Sequence, residues 1–161
     1  MLKNQFEIDL KFGQKFEEEL LKHLDYDSYQ QAPTDKIFKL WDIKIIKNGK
    51  NETYEIKCDK YCNGYNGYST NNIAIEYQQF REGIMKKTGI SKSKSNYYAI
   101  FCLDELNGYE FFIIDRRKLK AMINNQEFIE QKKTYDNSYF VLFKKQQIKD
   151  NSIIYKSINQ W

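Results

Sequence analysis

Asp42, Glu55 and Lys57 are the residues whose types and spacing could do chemistry together. Glu55-Ile56-Lys57 follows Asp42 by thirteen residues and comes soon after an Asn48-Gly49 pair. Successive side chains of a strand point to opposite faces, so Glu55 and Lys57 would share one face. Asp42 belongs to an alternation of its own, with Trp41, Ile43 and Ile45 set against Asp42 and Lys44. If these two segments pair as a hairpin, two carboxylates and one ammonium converge on a small volume. Carboxylate oxygens suit a hard divalent cation, and an adjacent ammonium orients water or stabilises negative charge. Those are the requirements of metal-assisted phosphodiester hydrolysis. The bland alternative is three charges on the wet face of a hairpin, paired as salt bridges.

The elements that must position these residues are readable from periodicity. Phe6, Leu10, Phe16, Leu20, Leu21 and Leu24 recur at intervals of three or four, which predicts a helix over 6–24 with a break at Gly13. Glu17, Glu18 and Glu19 would mostly face solvent. Tyr26 to Asp35 reads as a loop, with Pro33 ending local regularity. Strands follow over 38–46 and 53–58, joined through Lys47-Asn48-Gly49-Lys50. Asn-Gly between alternating segments is a hairpin signal, here in a connection longer than the minimal turn. Asp59 to Asn72, rich in Tyr, Asn and Gly, reads as a mobile surface loop.

Ile73 to Tyr77 reads as a third strand carrying Glu76, and 81–96 as a polar crossing segment broken at Thr88-Gly89. Tyr97 to Leu103 and Tyr109 to Asp115 flank Asn107-Gly108 as a second hairpin. Asp115 can then cap a helix running to about Asn124, with Leu119, Met122 and Ile123 as its apolar stripe. Later strands are expected over 138–143 and 153–155. The whole is a single domain over 1–161, with a core over 6–125 and C-terminal strands within 138–161. Its class is α/β (α+β): a mixed central sheet flanked by helices.

Three further features extend the acidic-lysine set. Gly13-x-x-x-Glu17 on the first helix offers another carboxylate, the third strand carries Glu76, and Thr88-Gly89-Ile90-Ser91-Lys92-Ser93-Lys94 concentrates hydroxyl and basic groups suited to phosphate oxygens. In this order the chain resembles the PD-(D/E)XK nuclease superfamily. More narrowly, Glu55-Ile56-Lys57-x-Asp59, Asn72-Ile73-x-Ile75-Glu76-Tyr77 and Ser91-x-x-Lys94-x-x-x-Tyr98 resemble small phage and bacterial endonucleases related to Holliday-junction resolvases. The resemblance covers about residues 6 to 103. It departs at Trp41, where Pro often precedes the Asp, and at Lys87-Thr88, where the narrower group often has Pro-Ser.

The resemblance implies a restriction-endonuclease-like αβββαβ core and a DNA endonuclease dependent on Mg²⁺, with Mn²⁺ able to substitute. On it, Asp42 and Glu55 would be the primary metal ligands, joined by the main-chain carbonyl of Ile56, with Glu17 completing the site directly or through water. Lys57 would position the attacking water and lower the cost of forming hydroxide. Glu76 and Lys94 are accessory candidates, as a supporting acceptor and a phosphate contact. Ser91, Lys92 and Lys94 are candidate nucleic-acid contacts. Tyr61, Tyr65 and Tyr68 would stack on unpaired bases or else pack back onto the domain. A homodimer that cuts two strands symmetrically is a further implication.

Composition sets the outer limits. With 41% hydrophobic and 16% aromatic residues, the 161-residue chain folds despite its 30% charged content and mean hydropathy of −0.78. A net charge of +4 leans only mildly towards a polyanionic partner. Phe101, Phe111, Phe112 and Phe140 lie in strand-like stretches and belong to the core. Cys58, Cys62 and Cys102, an odd number without framework spacing, point to reduced thiols, and with the lone His23 they make a poor zinc set. His23 itself reads as a surface or boundary residue. No apolar run reaches membrane-spanning length and no signal-peptide core is visible, so a cytoplasmic protein without a membrane partner is expected, in the host cytoplasm if viral. Two readings compete with a DNA endonuclease acting on branched or junction DNA. One is a catalytically silent DNA-binding or host-interaction domain on the same scaffold, the other an RNA or tRNA nuclease.

Overall fold

A computed structural model describes residues 2–33, 40–65, 67–106 and 108–159, with side chains from residue 11 onward. Helix α1 (Leu2–Leu21) opens the chain and is followed by strands β1 (Ser28–Gln31), β2 (Ile43–Lys47), β3 (Lys50–Asn63), β4 (Asn72–Arg81) and β5 (Ile84–Lys87). Then come α2 (Gly89–Lys92), β6 (Tyr97–Asp104), β7 (Tyr109–Asp115), α3 (Arg116–Asn124), β8 (Glu130–Lys133), β9 (Ser138–Lys144), α4 (Lys145–Asn151) and β10 (Ile154–Ile158). The class is mixed α and β, as expected, but the strands make two sheets instead of one. Six form a mixed sheet in the order β1-β2-β3-β6-β7-β10, and four an antiparallel sheet in the order β5-β4-β9-β8. The third strand of the sequence reading, β4, therefore leaves the sheet that holds β2 and β3. Its partner on one side is β9, a strand about sixty residues on.

Several boundaries move for physical reasons. Helix α1 runs through Gly13 without a break: a Cβ there would meet nothing within 4 Å, so glycine costs about 1 kcal/mol of propensity and no more. The stretch read as a loop after Tyr26 contains β1, an exposed edge strand whose four residues pair with β2. Such a strand, exposed throughout, gives no alternation to read. Of the first expected strand, 38–39 lies outside the described residues, as do 34–35 of the expected loop, and β2 starts at Ile43.

The β2–β3 turn is the minimal one. Lys47 pairs with Lys50, and Asn48 and Gly49 take φ of 49° and 73°, the left-handed pair that a two-residue hairpin turn requires. Strand β3 then continues to Asn63, shortening the expected surface loop. Asp59 stabilises that extension, because its Oδ1 accepts from the N–H groups of Tyr61 and Cys62 at 2.8 and 2.9 Å. The expected crossing segment is itself structured, holding β5 and α2. The second hairpin, the Asp115 cap on Arg117 and Lys118 N–H and the α3 stripe agree with the reading: Leu119 and Met122 are buried.

Two cores lie on the two faces of the six-stranded sheet. On one face α1 places Phe16 and Leu20 over Ile43, Ile45, Tyr54, Ala99, Phe101 and Phe111. On the other, Tyr98, Ile100, Cys102, Phe112 and Ile114 meet Ile73, Ile75, Val141 and Phe143 of the second sheet, with Ile90, Leu119, Met122 and Ile148 of α2, α3 and α4. Strands β6 and β7, covered on both sides, are near-continuously apolar. The C-terminal region completes both sheets, through β9 and β10, instead of standing outside the core.

Strand β3 is the exception among the inner strands. Tyr54, Ile56 and Cys58 face the α1 layer, while Glu55, Lys57 and Asp59 alternate to the other side. Charged groups on that side need an open space between the sheets, and one exists there.

Candidate active site

The Lys57 ammonium lies in the field of both acidic groups, Asp42 and Glu55. Strand β2 pairs with β3 antiparallel, Ile43 opposite Tyr54. The ladder ends at that pair, and Asp42 lies one residue before β2 begins. The Asp42 N–H donates to the Tyr54 carbonyl at 2.8 Å, and its Oδ2 accepts from the Ile56 N–H at 2.7 Å. Two residues along β3 from Glu55, Lys57 Nζ lies 2.7 Å from Glu55 Oε1. The Glu55 side chain is 13% exposed and that of Lys57 43%.

Burial disfavours the Lys57 ammonium. Glu55 outweighs it, by charge and hydrogen bond, and Asp42 and Glu76 add to it, so the pKa stands above the ordinary lysine value. One ammonium is therefore held in the field of three carboxylates and stays charged at neutral pH. A permanently charged lysine cannot act as a general base. It can hold a water and stabilise hydroxide.

The second sheet and α2 build the opposite wall. Strand β4 carries a register irregularity between Glu76 and Gln78 that leaves Tyr77 without a partner in β9, the kind of bulge that re-aims side chains. Against it sits Gly89, at φ +47°, where a Cβ would lie 2.1 Å from the Glu76 carbonyl oxygen. Only glycine allows that approach, which sets α2 directly over Glu76. Between the walls is a cleft of about 530 Å³, lined by Glu55, Lys57 and Tyr98 from one sheet and by Glu76, Gln79, Arg81, Thr88 and Lys92 from the other side.

Tyr98 pairs in parallel with Glu55 across β3 and β6. It is 1% exposed, and its hydroxyl has no hydrogen-bond partner among the described residues, nor has the hydroxyl of Thr88. Ser93 lies beside Tyr98, but its hydroxyl is engaged with Ser95 Oγ at 2.9 Å. Burial first, then the charge of Glu55, raises the Tyr98 pKa, so the group is a donor at neutral pH. A buried hydroxyl without a partner costs about 1–3 kcal/mol, and two such groups line one cleft.

The remaining candidates divide. Glu76 and Lys92 line the cleft, whereas Ser91 and Lys94 are not among its lining residues. Lys94 is exposed and is tied through its N–H to the Leu40 carbonyl at 2.9 Å. Tyr61 lines the cleft and is 58% exposed, and Tyr68 is 70% exposed. Tyr65 turns back onto the domain, its ring 6.4 Å from that of Phe12. Helix α1 packs on the far face of the six-stranded sheet, and Glu17 is not among the lining residues. Asp42 meets the Ile56 main chain at its N–H, not at the carbonyl expected to hold a metal. Gln79 and Arg81 carry no signal in the sequence reading, and Tyr98 stands there only as the last residue of the Ser91-x-x-Lys94-x-x-x-Tyr98 motif, without a role. The place of Tyr98 at the site comes from its parallel pairing with Glu55, and that of Arg81 from the docking of the second sheet.

For a metal, the donors are suitable by chemistry but not gathered. Asp42 and Glu55 supply hard carboxylate oxygens, the donor type that divalent cations of this class take, and of the two only Glu55 is among the residues lining the cleft. Asp42 is turned to the Ile56 N–H and Glu55 to Lys57. Among the described residues no three acidic, cysteine or histidine side chains converge as a metal-binding group.

Two other polar clusters are structural. Buried Glu19 accepts from Tyr109 Oη at 2.5 Å and pairs with Lys22 at 2.7 Å, and Tyr109 Oη lies 2.8 Å from His23 Nε2. Glu110 accepts from Lys145, Asn63 and Tyr155 at 2.6–2.8 Å, tying β7 to β3, α4 and β10. His23 stacks on Phe111 in the α1 layer, while Cys62 belongs to the other core, so the sheet separates the weak zinc set. All three cysteines are free. No helix among the described residues is long and apolar enough to cross a membrane. Comparison with family models, with curated proteins and with solved structures gives no match to this chain.

Proposed function

We propose that the protein is a metal-dependent DNA endonuclease, built on a restriction-endonuclease-like core and hydrolysing phosphodiester bonds in the cleft between its two sheets. One observation carries the reading: the Lys57 ammonium, 2.7 Å from Glu55 and raised in pKa by Asp42 and Glu76 as well, opens onto a cleft. A salt bridge that served only the fold would need one carboxylate and no cavity.

The roles follow from the chemistry of each group. Asp42 and Glu55 would hold Mg²⁺ or Mn²⁺, with Glu76 as the nearest accessory carboxylate. When bound, such an ion neutralises a non-bridging phosphate oxygen and stabilises the leaving oxygen. Lys57, charged throughout, orients the attacking water and lowers the cost of hydroxide beside the phosphorus. Arg81 and Lys92 give the cleft positive charge suited to the backbone of the substrate. Tyr98 and Thr88 offer donors to phosphate oxygens, which would relieve their unmade hydrogen bonds.

The test is cleavage of plasmid, four-way-junction DNA and RNA in Mg²⁺ by wild type, Asp42→Asn and Lys57→Ala. Cleavage of DNA by wild type alone is the expected result. Equal activity in all three would assign the cutting elsewhere, and binding without hydrolysis at any metal would favour the silent DNA-binding domain.

A further inference from the structure

Asp59 follows Glu55 and Lys57 on β3, and its carboxylate reaches the other sheet. Just past it, beyond the register shift that begins at Asp59, the chain entering β4 is joined to β3 directly. Thr70 N–H donates to the Tyr61 carbonyl at 2.9 Å, and Asn71 N–H to the Cys62 carbonyl at 3.0 Å. In the direction of Glu55 the two strands part, because β3 stays in the six-stranded sheet and β4 enters the four-stranded one. The cleft fills the angle between them, with Glu55 and Lys57 on one arm and Glu76 on the other. Asp59 stands where they separate. Its Oδ1 takes the N–H groups of Tyr61 and Cys62, and its Oδ2 accepts from the Ala74 N–H of β4 at 3.2 Å. Strand β5 covers that edge of β4 only from Gln78 to Arg81, so at Ala74 the Asp59 side chain takes the place of a neighbouring strand. Two residues further along each arm are Lys57 and Glu76, whose charges lie in each other's field.

We propose that Asp59 is a positioning residue, a strut that fixes the angle between the two sheets and with it the separation of Lys57 from Glu76 across the cleft. Its role in cleavage rests on the nuclease reading of that cleft. The apolar contacts between the sheets have no direction, and by themselves they would let one sheet slide or turn on the other. A carboxylate shared by N–H groups of two strands is directional and admits one arrangement. Three donors fill three of its roughly four lone-pair sites, so Asp59 is engaged in holding backbone and not in holding a cation. The same bonds shape the end of β3: with the Tyr61 and Cys62 N–H groups turned to Asp59, their carbonyls meet Thr70 and Asn71. Junction and strut are therefore one device, and the open arms of the cleft extend from it.

The experiment compares the full chain with Asp59→Asn and Ala74→Pro. Asparagine has a single acceptor oxygen, so it cannot keep both the Tyr61–Cys62 bonds and the Ala74 bond. Proline removes the same strut from the other end, deleting the Ala74 N–H that is committed to Asp59. Residual dipolar couplings of the backbone amides report the orientation of each sheet. One alignment should fit both sheets of the wild type. In the variants each sheet should still fit by itself while the joint fit is lost, and in Asp59→Asn the Ala74 amide should lose its protection from exchange. For DNA cleavage in Mg²⁺, kcat should fall about 100-fold, as a misplacement of about 1 Å can cause, with KM within about threefold. A role in stability alone would move neither the joint fit nor kcat at a temperature where the variants are folded. If one variant does not fold, the other decides. A joint fit kept in the folded variants would overturn the strut, and so would an unchanged kcat once the fit is lost. Failure of the cleft reading looks different: the variants lose the joint fit, yet the wild type cuts neither DNA nor RNA in Mg²⁺.

Discussion

Replacing Lys57 by methionine keeps most of the aliphatic stem and deletes the charge that faces Glu55, Asp42 and Glu76. At an effective dielectric of about 20, two unit charges near 4 Å interact by about 4 kcal/mol. The Lys57 side chain is 43% exposed, so solvent screening reduces the net contribution to about 1–2 kcal/mol. Lys57→Met should therefore lower stability at neutral pH by about that amount, and three carboxylates would then face one another without their cation. Like-charge repulsion makes one of them bind a proton more readily in the folded than in the unfolded chain. A carboxylate of raised pKa weakens the fold above that pKa and ceases to do so as pH falls through it. The deficit of the variant should be largest at pH 7–8 and shrink towards about pH 5. Urea unfolding of both proteins at the two pH values measures it. A deficit that is absent, or the same at both, would show that Lys57 does not bind the three carboxylates into one electrostatic unit. In wild type the raised lysine pKa acts at the other end of the scale. Its stabilisation is complete below the ordinary value of 10.5 and is lost only as pH rises through the folded value.

Further predictions concern the walls of the cleft and the α1 layer. Gly89→Ala forces a Cβ to within 2.1 Å of the Glu76 carbonyl and should cost about 2 kcal/mol or more, read by urea unfolding, with α2 amide exchange accelerated; a neutral substitution would mean that α2 does not sit on Glu76 in solution. Tyr98→Phe removes a buried hydroxyl without a partner and should leave stability equal or raise it by about 1 kcal/mol, while DNA cleavage falls. A stability loss would reveal a protein partner for that hydroxyl. Glu19 is held below its ordinary 4.5: burial opposes this, but the bonds from Lys22 and Tyr109 prevail. Burial, then the charge of Lys156, holds His23 below 6.5. Both groups bind more protons unfolded than folded, so stability should fall as pH drops below 6.5 and again below 4.5, and Glu19→Gln should remove the second step from an acid titration followed by circular dichroism. Cys58, whose thiol burial raises to about 12, should react with a disulfide reagent at pH 7 far more slowly than a free thiol.

Local rules made much of this molecule readable in advance. Asn48-Gly49 dictates a hairpin because both positions take positive φ, which Asn and Gly tolerate. The alternation along 53–58 forces Glu55 and Lys57 to one side of whatever sheet they enter, and Asp115 caps α3 because an aspartate before a helix satisfies its first N–H groups. The register of Ile43 against Tyr54, one residue from each acidic group, follows from that same turn. The rest depended on contacts between distant segments. Strand β4 has the pattern of a third strand in one sheet, yet its partners are β5 and β9, and period-2 alternation carries no address for a partner. Docking of that second sheet makes the cleft, brings Glu76 to Lys57 and sets Arg81 at its edge. Helix periodicity likewise locates Glu17 on α1 but does not say which face of the sheet α1 covers. The amino-acid order thus determined which side chains share a strand face. Tertiary packing alone decided which faces meet, because burying apolar area is not directional and the partner is chosen by the whole chain.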